Sequence, residues 1–350
     1  MADPNASVID GVGGALPRRA VSNDELALTG LDTSHQWIAE RTGIHNRHWA
    51  APEISTGDLA AAAAKGALAS CPTGTSGIGL LLLATTTPDR RCPATAPEVA
   101  ARIGLSGVAA FDVAAACAGF LYALAVGDAW IRSGAAQRVL VVGADTLTRI
   151  IDPQDRDTAV LFGDGAGAVV LRGGHPGEPG ALHSVVVASD GTRSDLISIA
   201  AGGARQPYPP DGSPHEAPVP RGERFVRMRG REVFGQAVRH MSSASEEVLK
   251  RSGWSPESLG AFIGHQANQR ILDAVAERLN VPSASRLGNI RDVGNTSSAS
   301  IPLVLAETLS QGSVSPGSRT LLTAFGGGLA WGAATLTWPA SRQTSTVTRI

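Results

Sequence analysis

Residues 111–120 read FDVAAACAGF, and within this stretch a β-type run ends where a helix-type run of small residues begins. The pattern is typical of a nucleophile elbow with Cys117 at the turn. A thiol at a helix N-terminus feels the aligned peptide dipoles and the free N–H groups, which favour the reactive thiolate. The alternative is that Cys117 acts only as a small buried hydrophobic residue.

On both sides of this turn, apolar runs with β character alternate with runs of helical length. This alternation predicts βαβ units and therefore an α/β protein. The same order recurs along the chain and predicts two similar halves, 1–175 and 176–340, followed by a flexible tail at 341–350. The predicted strands are 8–12, 78–84, 109–113, 139–143, 167–171, 184–188, 261–264, 319–325 and 331–338, and the helices of the second half are 231–251, 269–279 and 298–309.

The composition is that of an ordinary globular protein. A chain of 350 residues with 43% hydrophobic content can bury a substantial core, and its net charge of −1 gives no general attraction to nucleic acid. There is no signal-like N-terminus and no apolar run of membrane-spanning length, so we expect a soluble cytoplasmic protein without a membrane partner. Cys71, Cys92 and Cys117 are odd in number and widely spaced, which argues against a disulfide framework and CxxC zinc sites.

Three further features could serve chemistry beside a cysteine. His265 ends a short apolar run, where α/β sheets place ligands, although a lone histidine also suits a hydrogen-bonded core position. Asn295 precedes a predicted helix, where it also suits a turn or a helix cap. The glycines at 326–328 follow a predicted strand and could direct N–H groups into a pocket or form a plain hairpin.

Cys117, His265, Asn295 and the glycine turn match one family pattern in identity and in order. The sequence resembles β-ketoacyl-acyl carrier protein synthase III of the thiolase superfamily, over nearly the whole chain. The resemblance implies a thiolase-like fold in which two similar βαβ-type halves form a five-layered αβαβα core. The segments that carry it are 11–13, 37–38, 41–44, 111–120, 152–158, 162–168, 264–271, 294–297 and 324–331.

The resemblance implies that Cys117 takes an acyl group from a coenzyme A thioester and that a carbanion from malonyl-acyl carrier protein attacks the acyl-enzyme. Loss of carbon dioxide creates the carbanion directly, so no strong base is required, and no metal or cofactor is expected. His265 and Asn295 would donate to the malonyl thioester oxygen as it becomes an enolate. The N–H groups of Cys117 and Gly327 would form a second oxyanion hole, and Phe325 would wall the pocket.

The resemblance also implies a nucleotide site. Trp37 and Arg156 match the pair that sandwiches the adenine of coenzyme A, with Arg41 close to the nucleotide. Asn268 and Arg270 match positions that line the pantetheine tunnel. Without the resemblance, Trp37 suits half-buried packing and Arg156 a solvated loop. Plant-type polyketide synthases share the cysteine, histidine and asparagine, but the contexts of Trp37 and Arg156 fit synthase III better.

The region 202–239 combines an irregular segment with a basic one. Residues 202–221 contain six prolines and three glycines, which predicts an irregular surface excursion beside an entrance. Residues 221–239 contain six arginines against two glutamates. This excess of positive charge suits acidic partners, namely coenzyme A phosphates and an acyl carrier protein, or is a solvated helix face. Relatives often carry asparagine at Arg231 and lysine at Gly235, which leaves the identity of the carrier partner open.

Cys92 falls where the family extends a side chain from one subunit into the acyl pocket of the other. Acetyl-specific bacterial members tend to have phenylalanine there, and a smaller side chain leaves more room at the acyl tip. We therefore expect a primer larger than acetyl, and a homodimer whose pocket is completed across a two-fold axis.

Two other functions stay open at this point. Some relatives in secondary metabolism pass an acyl group to an oxygen, nitrogen or carrier thiol without loss of carbon, and a non-catalytic assembly partner would keep only the fold. Asn295 favours condensation, because simple acyl transfer has little need of an enolate-stabilising amide. Intact Cys117 and His265 weigh against a non-catalytic role. The primer, the carrier protein and the choice between primary and secondary metabolism stay open.

Overall fold

The structure is a computed structural model that describes residues 6–208, 219–340 and 346–350. Among these residues, no helix is long and apolar enough to cross a membrane. The strands are β1 (Ala6–Leu16), β2 (Ala20–Ser22), β3 (Asn46–His48), β4 (Ile78–Ala84), β5 (Ala109–Val113), β6 (Arg138–Asp145), β7 (Gly165–Gly174), β8 (Leu182–Ser189), β9 (Ile197–Ser198), β10 (Arg227–Met228), β11 (Ala261–Gly264), β12 (Arg319–Gly326), β13 (Ala330–Thr337) and β14 (Val347–Arg349). The α-helices are α1 (Asn23–Ala27), α2 (His35–Thr42), α3 (Thr56–Ala69), α4 (Ala96–Arg102), α5 (Gly119–Arg132), α6 (Arg156–Ala159), α7 (Gly230–Ser252), α8 (Gln269–Arg278), α9 (Ile290–Val293) and α10 (Ser300–Gln311).

Two main sheets carry the fold. The first has the strand order β14-β1-β7-β6-β4-β5, and the second has the order β11-β12-β13-β8. In the first sheet β4, β5 and β6 are parallel, and β7 runs antiparallel to β1 and β6. In the second sheet β11 and β12 are parallel, and β13 runs antiparallel to β12 and β8. The order β8-β13-β12-β11 in the second sheet corresponds to the order β1-β7-β6-β4 in the first. This correspondence confirms the prediction of two similar α/β halves.

Helices form three layers around the two sheets. The alanine-rich helix α3 packs on the outer face of the first sheet, against β1, β6 and β7. Helices α5 and α10 lie between the sheets, where α5 contacts β4 and β6 on one side and β8 and β13 on the other. Helices α7 and α8 pack together, and α7 covers the outer face of the second sheet. The order helix, sheet, helix, sheet, helix confirms the predicted five-layered αβαβα core.

A close backbone approach fixes the turn that precedes α10. A Cβ atom at Gly143 of β6 would lie 2.3 Å from the Ser298 carbonyl oxygen, so only glycine fits there. The predicted helix at 298–309 begins two residues later than expected, because Ser297–Ala299 form a 3₁₀ turn and α10 starts at Ser300. The segment that contains Asn295 is therefore held against the end of β6.

The C-terminal segment differs from the predicted flexible tail. Residues 341–345 lie outside the described part of the chain, but Val347–Arg349 form β14 and pair in parallel with β1. The backbone of Ile350 adds hydrogen bonds of 3.0 Å to the Leu16 carbonyl and 2.8 Å from the Arg18 N–H. The tail prediction is wrong for these residues, because the free edge of β1 supplies backbone partners that a local sequence pattern does not show.

The predicted irregular segment at 202–221 borders a surface cleft. Its residues 209–218 lie outside the described part of the chain, and no helix or strand is formed over 202–208. The ring of Tyr208 contacts two guanidinium groups, with its centre 5.4 Å from Cζ of Arg91 and 5.9 Å from Cζ of Arg224. These three side chains line a cleft of about 600 Å³, which also includes Gly202.

Candidate active site

Cys117 lies in a tight turn between a strand and a helix, as the sequence predicts. Strand β5 ends at Val113, Ala116–Ala118 form a 3₁₀ turn, and α5 begins at Gly119. Ala116 has a φ of 45°, in the left-handed region that is unfavourable for a residue with a Cβ atom. This strained turn follows β5 at the edge of the sheet where the parallel strands β4 and β6 also end.

The glycine turn after β12 packs against this elbow. A Cβ atom at Gly326 would lie 2.7 Å from the Cys117 nitrogen, so a larger residue would displace the elbow. The next residue, Gly327, lines a cavity together with Cys117. Strands β12 and β13 do pair as the hairpin considered above, and the turn between them also reaches the cysteine.

One cavity of about 90 Å³ brings together the side chains predicted for chemistry. Cys117, His265, Asn295 and Phe325 line it beside Gly327. Much of the remaining wall is apolar and comes from both halves of the chain, including Leu147, Ile150, Phe162, Ile197, Val226 and Met228. Residues that are far apart in sequence meet here because the cysteine and the histidine each follow the end of a strand.

His265 is the first residue after β11, and only 2% of its surface is exposed. Its N–H donates to the Thr323 carbonyl at 2.8 Å, and its Nδ1 lies 2.7 Å from the Ser300 hydroxyl oxygen. Burial lowers the pKa of His265 to about 3, so the ring is neutral. When the Ser300 hydroxyl donates to Nδ1, the single ring proton lies on Nε2, where it can be donated to a ligand.

Asn295 is anchored by its backbone and by one end of its side chain. Its N–H donates to the Leu161 carbonyl, and its own carbonyl accepts from the Gly163 N–H, both at 2.9 Å. Its side-chain oxygen accepts from the Ser297 N–H at 2.9 Å. The turn-forming role considered for this residue is therefore real, but it occupies only the oxygen and leaves the NH₂ group to donate elsewhere.

The thiol of Cys117 is neutral at rest, and the predicted preference for thiolate is wrong for the unliganded protein. Burial in the apolar site raises the pKa of Cys117 to about 12. A hydrogen bond with the Ser297 side chain lowers this pKa, and the negative charge of Asp145 raises it. The backbone N–H of Cys117 itself also lowers this pKa, but loss of water around the sulfur raises it by more.

Trp37 and its two arginines form a separate cluster. The guanidinium carbons of Arg41 and Arg156 each lie 4.7 Å from the centre of the Trp37 ring. Arg156 also donates to the backbone and side-chain oxygens of Asp32, at 2.9 and 3.3 Å. The half-buried indole therefore makes two cation–π contacts and also packs against the apolar cluster that includes Ile38 and Ile44.

Asn268 and Arg270 do not line the cavity around Cys117, whereas their neighbours Ala267 and Ile271 do. Asn268 caps α8 by accepting from the Arg270 N–H at 2.9 Å. Its NH₂ group donates to the Arg41 carbonyl at 3.0 Å. The asparagine thus joins α2, which carries Trp37 and Arg41, to α8, which follows the segment that contains His265.

The other two cysteines lie outside the cavity. Cys71 is buried and its thiol donates to the Ala67 carbonyl at 3.2 Å, whereas Cys92 is exposed. Arg91, next to Cys92, lines the 600 Å³ cleft described above. A role for Cys92 in an acyl pocket therefore requires a second copy of the chain. Among the described residues, no group of three or more His, Cys, Asp or Glu side chains is arranged to hold a metal ion.

Three polar residues near the cavity were not singled out from the sequence. Ser297 and Ser300 follow Asn295 in the run NTSSAS, and their position at the start of a helix gave no separate indication of a role. Asp145 is the fully buried last residue of β6. An acidic residue at the end of an otherwise apolar strand was the feature that could have identified it.

Comparison with known proteins gives matches in both halves. A family described as 3-oxoacyl-[acyl-carrier-protein] synthase III matches residues 111–191, and the C-terminal domain of that family matches residues 249–338. Beta-ketoacyl-[acyl-carrier-protein] synthase III 3 of Streptomyces coelicolor is 52% identical, over 96% of this chain and 98% of that protein.

Comparison with solved structures finds the same family. The structure of 3-oxoacyl-(acyl carrier protein) synthase III from Pseudomonas aeruginosa PAO1 matches with a TM-score of 0.86 and 46% identity, over 96% of this chain and 99% of that chain. The priming β-ketosynthase of a polyketide biosynthetic pathway matches with a TM-score of 0.89 and 34% identity, over 97% of this chain and 98% of that chain. On this identity and coverage, together with the cysteine elbow and its cavity, the chain belongs to the β-ketoacyl-[acyl-carrier-protein] synthase III family.

Proposed function

We propose that this protein transfers an acyl group from an acyl-coenzyme A to Cys117 and then condenses it with malonyl-acyl carrier protein, with loss of carbon dioxide. The observation that carries the proposal is the single cavity lined by Cys117, His265 and Asn295. The names of the relatives, which are condensing enzymes of fatty acid and polyketide synthesis, support the same chemistry.

The first half-reaction forms the acyl-enzyme. The sulfur of Cys117 attacks the thioester carbon of the acyl donor, the new S–C bond forms, and the bond to the coenzyme A sulfur breaks. The proton of the thiol ends on the departing coenzyme A thiolate. The backbone N–H groups of Cys117 and Gly327 are the proposed donors to the oxygen of the tetrahedral intermediate.

The second half-reaction forms the carbon–carbon bond. Departure of carbon dioxide leaves an electron pair that delocalises onto the malonyl thioester oxygen. Nε2–H of neutral His265 and the NH₂ group of Asn295 donate to that oxygen, so the charge is stabilised as it develops. The carbanion attacks the acyl carbon, the bond to Cys117 breaks, and the sulfur regains a proton from solvent. The neutral form of His265 is the required one, because Nε2–H donates a hydrogen bond to the oxygen and does not transfer its proton.

Transfer of the acyl group without loss of carbon is the second candidate. This reaction requires Cys117, but it forms no enolate that the NH₂ group of Asn295 would stabilise. To separate the two, the protein is mixed with a panel of acyl-coenzyme A donors and with malonyl-carrier protein labelled at the free carboxylate. We expect an acyl adduct on the Cys117 peptide with the donor alone, and labelled carbon dioxide with a ketoacyl product when both are present. An adduct without carbon dioxide would favour simple transfer, and no adduct would favour a non-catalytic protein.

A homodimer is part of the proposal. Strand β5 ends the first sheet on one side, and Phe111 at this edge is 38% exposed, so the edge offers both backbone partners and apolar surface to a second copy. The exposed Cys92 would then enter the acyl pocket of the partner and leave room for a primer larger than acetyl. A monomer in analytical sedimentation would contradict the dimer.

The basic region at 221–239 supports an acidic carrier protein as partner. Arg221 pairs with Asp152, and Arg229 pairs with Asp195. Arg231 and Arg239 are exposed and form no ion pair within the described residues, so their charges are available to a partner. The nature of the primer and the cytoplasmic location stay predictions.

A further inference from the structure

A fully buried amide side chain directly follows His265. The Nε2 of Gln266 donates to the carbonyl of Gly264, the last residue of β11, at 2.7 Å. Its Oε1 accepts from the N–H groups of Asn289 and Ile290 at 3.0 and 3.1 Å. Because a backbone N–H only donates and a carbonyl only accepts, these partners fix which end of the amide is the oxygen. The side chain therefore joins the end of β11 to the start of α9.

The start of α9 depends on this amide. The first N–H groups of a helix have no partner within it, and the side chain of Asn289, the residue before α9, does not cap them. A Cβ atom at Gly288 would lie 2.6 Å from Oε1 of Gln266, so the close approach requires glycine there. Helix α9 ends at Val293, and Asn295 follows two residues later. The amide thus holds the helix that leads directly to Asn295.

The same two segments are also joined through α10. Nδ2 of Asn289 donates to Oε2 of Glu307 on α10 at 2.9 Å. The hydroxyl oxygen of Ser300, the first residue of α10, lies 2.7 Å from Nδ1 of His265. The connection through Gln266 is the direct one, because this residue is adjacent to His265 and bonds the start of α9 without an intermediate side chain.

The spacing of the two segments matters for the proposed chemistry. Two donors stabilise one oxygen only when both lie within hydrogen-bond distance of it, and errors of about 0.5 Å already weaken such a site. We propose that Gln266 is a positioning residue that sets the spacing between Nε2–H of His265 and the NH₂ group of Asn295. The inference rests on the proposed function in taking both groups as donors to the same enolate oxygen.

Gln266→Met tests the proposal, since it keeps a long unbranched side chain and removes all three hydrogen bonds. We expect the rate of labelled carbon dioxide release to fall about 10- to 100-fold, because displacing a reacting group by about 1 Å has an effect of this size. Acylation of Cys117 by acyl-coenzyme A should change little, since neither donor serves that step. The mass of the Cys117 peptide measures acylation separately.

Gln269→Met is the matched control. Gln269 is the first residue of α8, and its amide donates to Oδ1 of Asp273 in the same helix at 2.9 Å. Carbon dioxide release should stay at the wild-type rate in this variant. Equal losses of acylation and carbon dioxide release in Gln266→Met, or the same loss of carbon dioxide release in the control, would overturn the proposal.

A double-variant cycle separates spacing from a general loosening of the site. If Gln266 acts by aligning His265 with Asn295, its replacement should matter little once the asparagine amide is gone. In an Asn295→Ala background, Gln266→Met should therefore lower carbon dioxide release by about threefold or less. A loss as large as in the wild-type background would show that Gln266 does not act through Asn295.

Hydrogen exchange gives a measurement that needs no substrate. In Gln266→Met, amide exchange should become about fivefold faster or more in peptides covering 262–268 and 287–296, and stay unchanged over 111–121. Unchanged exchange in the first two segments would refute the coupling between them. If the wild type releases no carbon dioxide, the proposed condensation is wrong, and the exchange rates still decide whether Gln266 couples the segments.

The variant must fold for these comparisons, which circular dichroism and thermal unfolding establish. If Gln266→Met does not fold, Gln266→Glu takes its place in every measurement. It keeps an acceptor for the two N–H groups and, when ionised, loses the donor to Gly264. The direction of each expected change is the same, and the same outcomes would refute the proposal.

Discussion

The backbone N–H of Ser297 donates to the side-chain oxygen of Asn295 at 2.9 Å. Because an N–H can only donate, this contact decides which end of the amide is the oxygen. The NH₂ group is therefore the end that can serve a bound ligand. Its orientation is fixed by the backbone that follows it, before any substrate binds, and such preorganised donors are the most effective in stabilising developing charge.

Asn295→Asp replaces this NH₂ group by a carboxylate oxygen in a side chain of the same size. Repulsion of the enolate oxygen should lower kcat for carbon dioxide release about 10²- to 10³-fold, while acylation of Cys117 continues, since it needs no enolate donor. Labelled carbon dioxide and the mass of acyl-Cys117 measure the two steps separately. Asn280→Asp, the same change at an exposed position, is the control. Equal losses in both steps would show that Asn295 only supports the structure.

Ser300→Ala removes the hydroxyl that lies 2.7 Å from Nδ1 of His265. Without this partner the ring proton is no longer held on Nε2, so kcat for carbon dioxide release should fall up to about tenfold. Ser300→Thr keeps the hydroxyl and should restore most of the rate. Ser245→Ala removes a buried hydroxyl that has no hydrogen-bond partner among the described residues and is the matched control. A similar loss of rate in both alanine variants would argue against a role in fixing the tautomer.

The pH dependence of stability should report the buried neutral His265. Its pKa in the folded protein is about 3, below the ordinary value of 6.5, so between these pH values the unfolded chain binds a proton that the folded chain excludes. The free energy of unfolding should therefore fall as the pH decreases through this window. Urea unfolding at pH 7 and pH 5 should show a loss about 2 kcal/mol larger in the wild type than in His265→Asn.

His175→Asn, at an exposed position, is the comparison variant for that experiment. If the wild type and His265→Asn lose the same stability on acidification, the histidine is not held neutral by burial.

Arg156→Ala removes one of the two guanidinium groups that lie 4.7 Å from the Trp37 ring. If the cluster binds the nucleotide of the acyl donor, KM for acyl-coenzyme A should rise about 3- to 30-fold and kcat should change little. With an acyl-pantetheine donor, which has no adenine, the variant should equal the wild type. Arg19→Ala, which removes a guanidinium 5.3 Å from the Trp49 ring, is the matched control. An equal rise of KM for both donors would exclude a nucleotide contact.

Cys92→Phe should shift the preference for the primer toward acetyl, because a larger side chain would fill the acyl pocket of the partner subunit. We expect kcat/KM for branched or longer acyl donors to fall about tenfold or more relative to acetyl-coenzyme A. Competition between donors, read from the masses of the Cys117 adducts, gives the ratio directly. Cys71→Ser, at the cysteine outside the proposed pocket, is the control. Unchanged selectivity in Cys92→Phe would remove the argument for a larger primer.

The sequence predicted most of the strands because their hydrophobic pattern is local. Predicted strands at 78–84, 109–113 and 261–264 have the bounds of β4, β5 and β11. Each is a short apolar run that ends at a change of composition, and such ends are visible without knowledge of the neighbours. The three-residue strands β2 and β3 are too short to show such a pattern, and they form because they pair with each other.

The amino-acid sequence by itself determined the α/β alternation, the two halves and the order of Cys117, His265 and Asn295 on segments that follow strands. The tertiary structure decided what those groups can do: that the thiol and the imidazole are both neutral, which end of the amide is free, and that Val347–Arg349 pair with β1. The pattern of apolar and polar residues along the chain reflects the local preference for helix or strand. Loss of water and the choice of hydrogen-bond partner depend on residues that folding brings from distant positions.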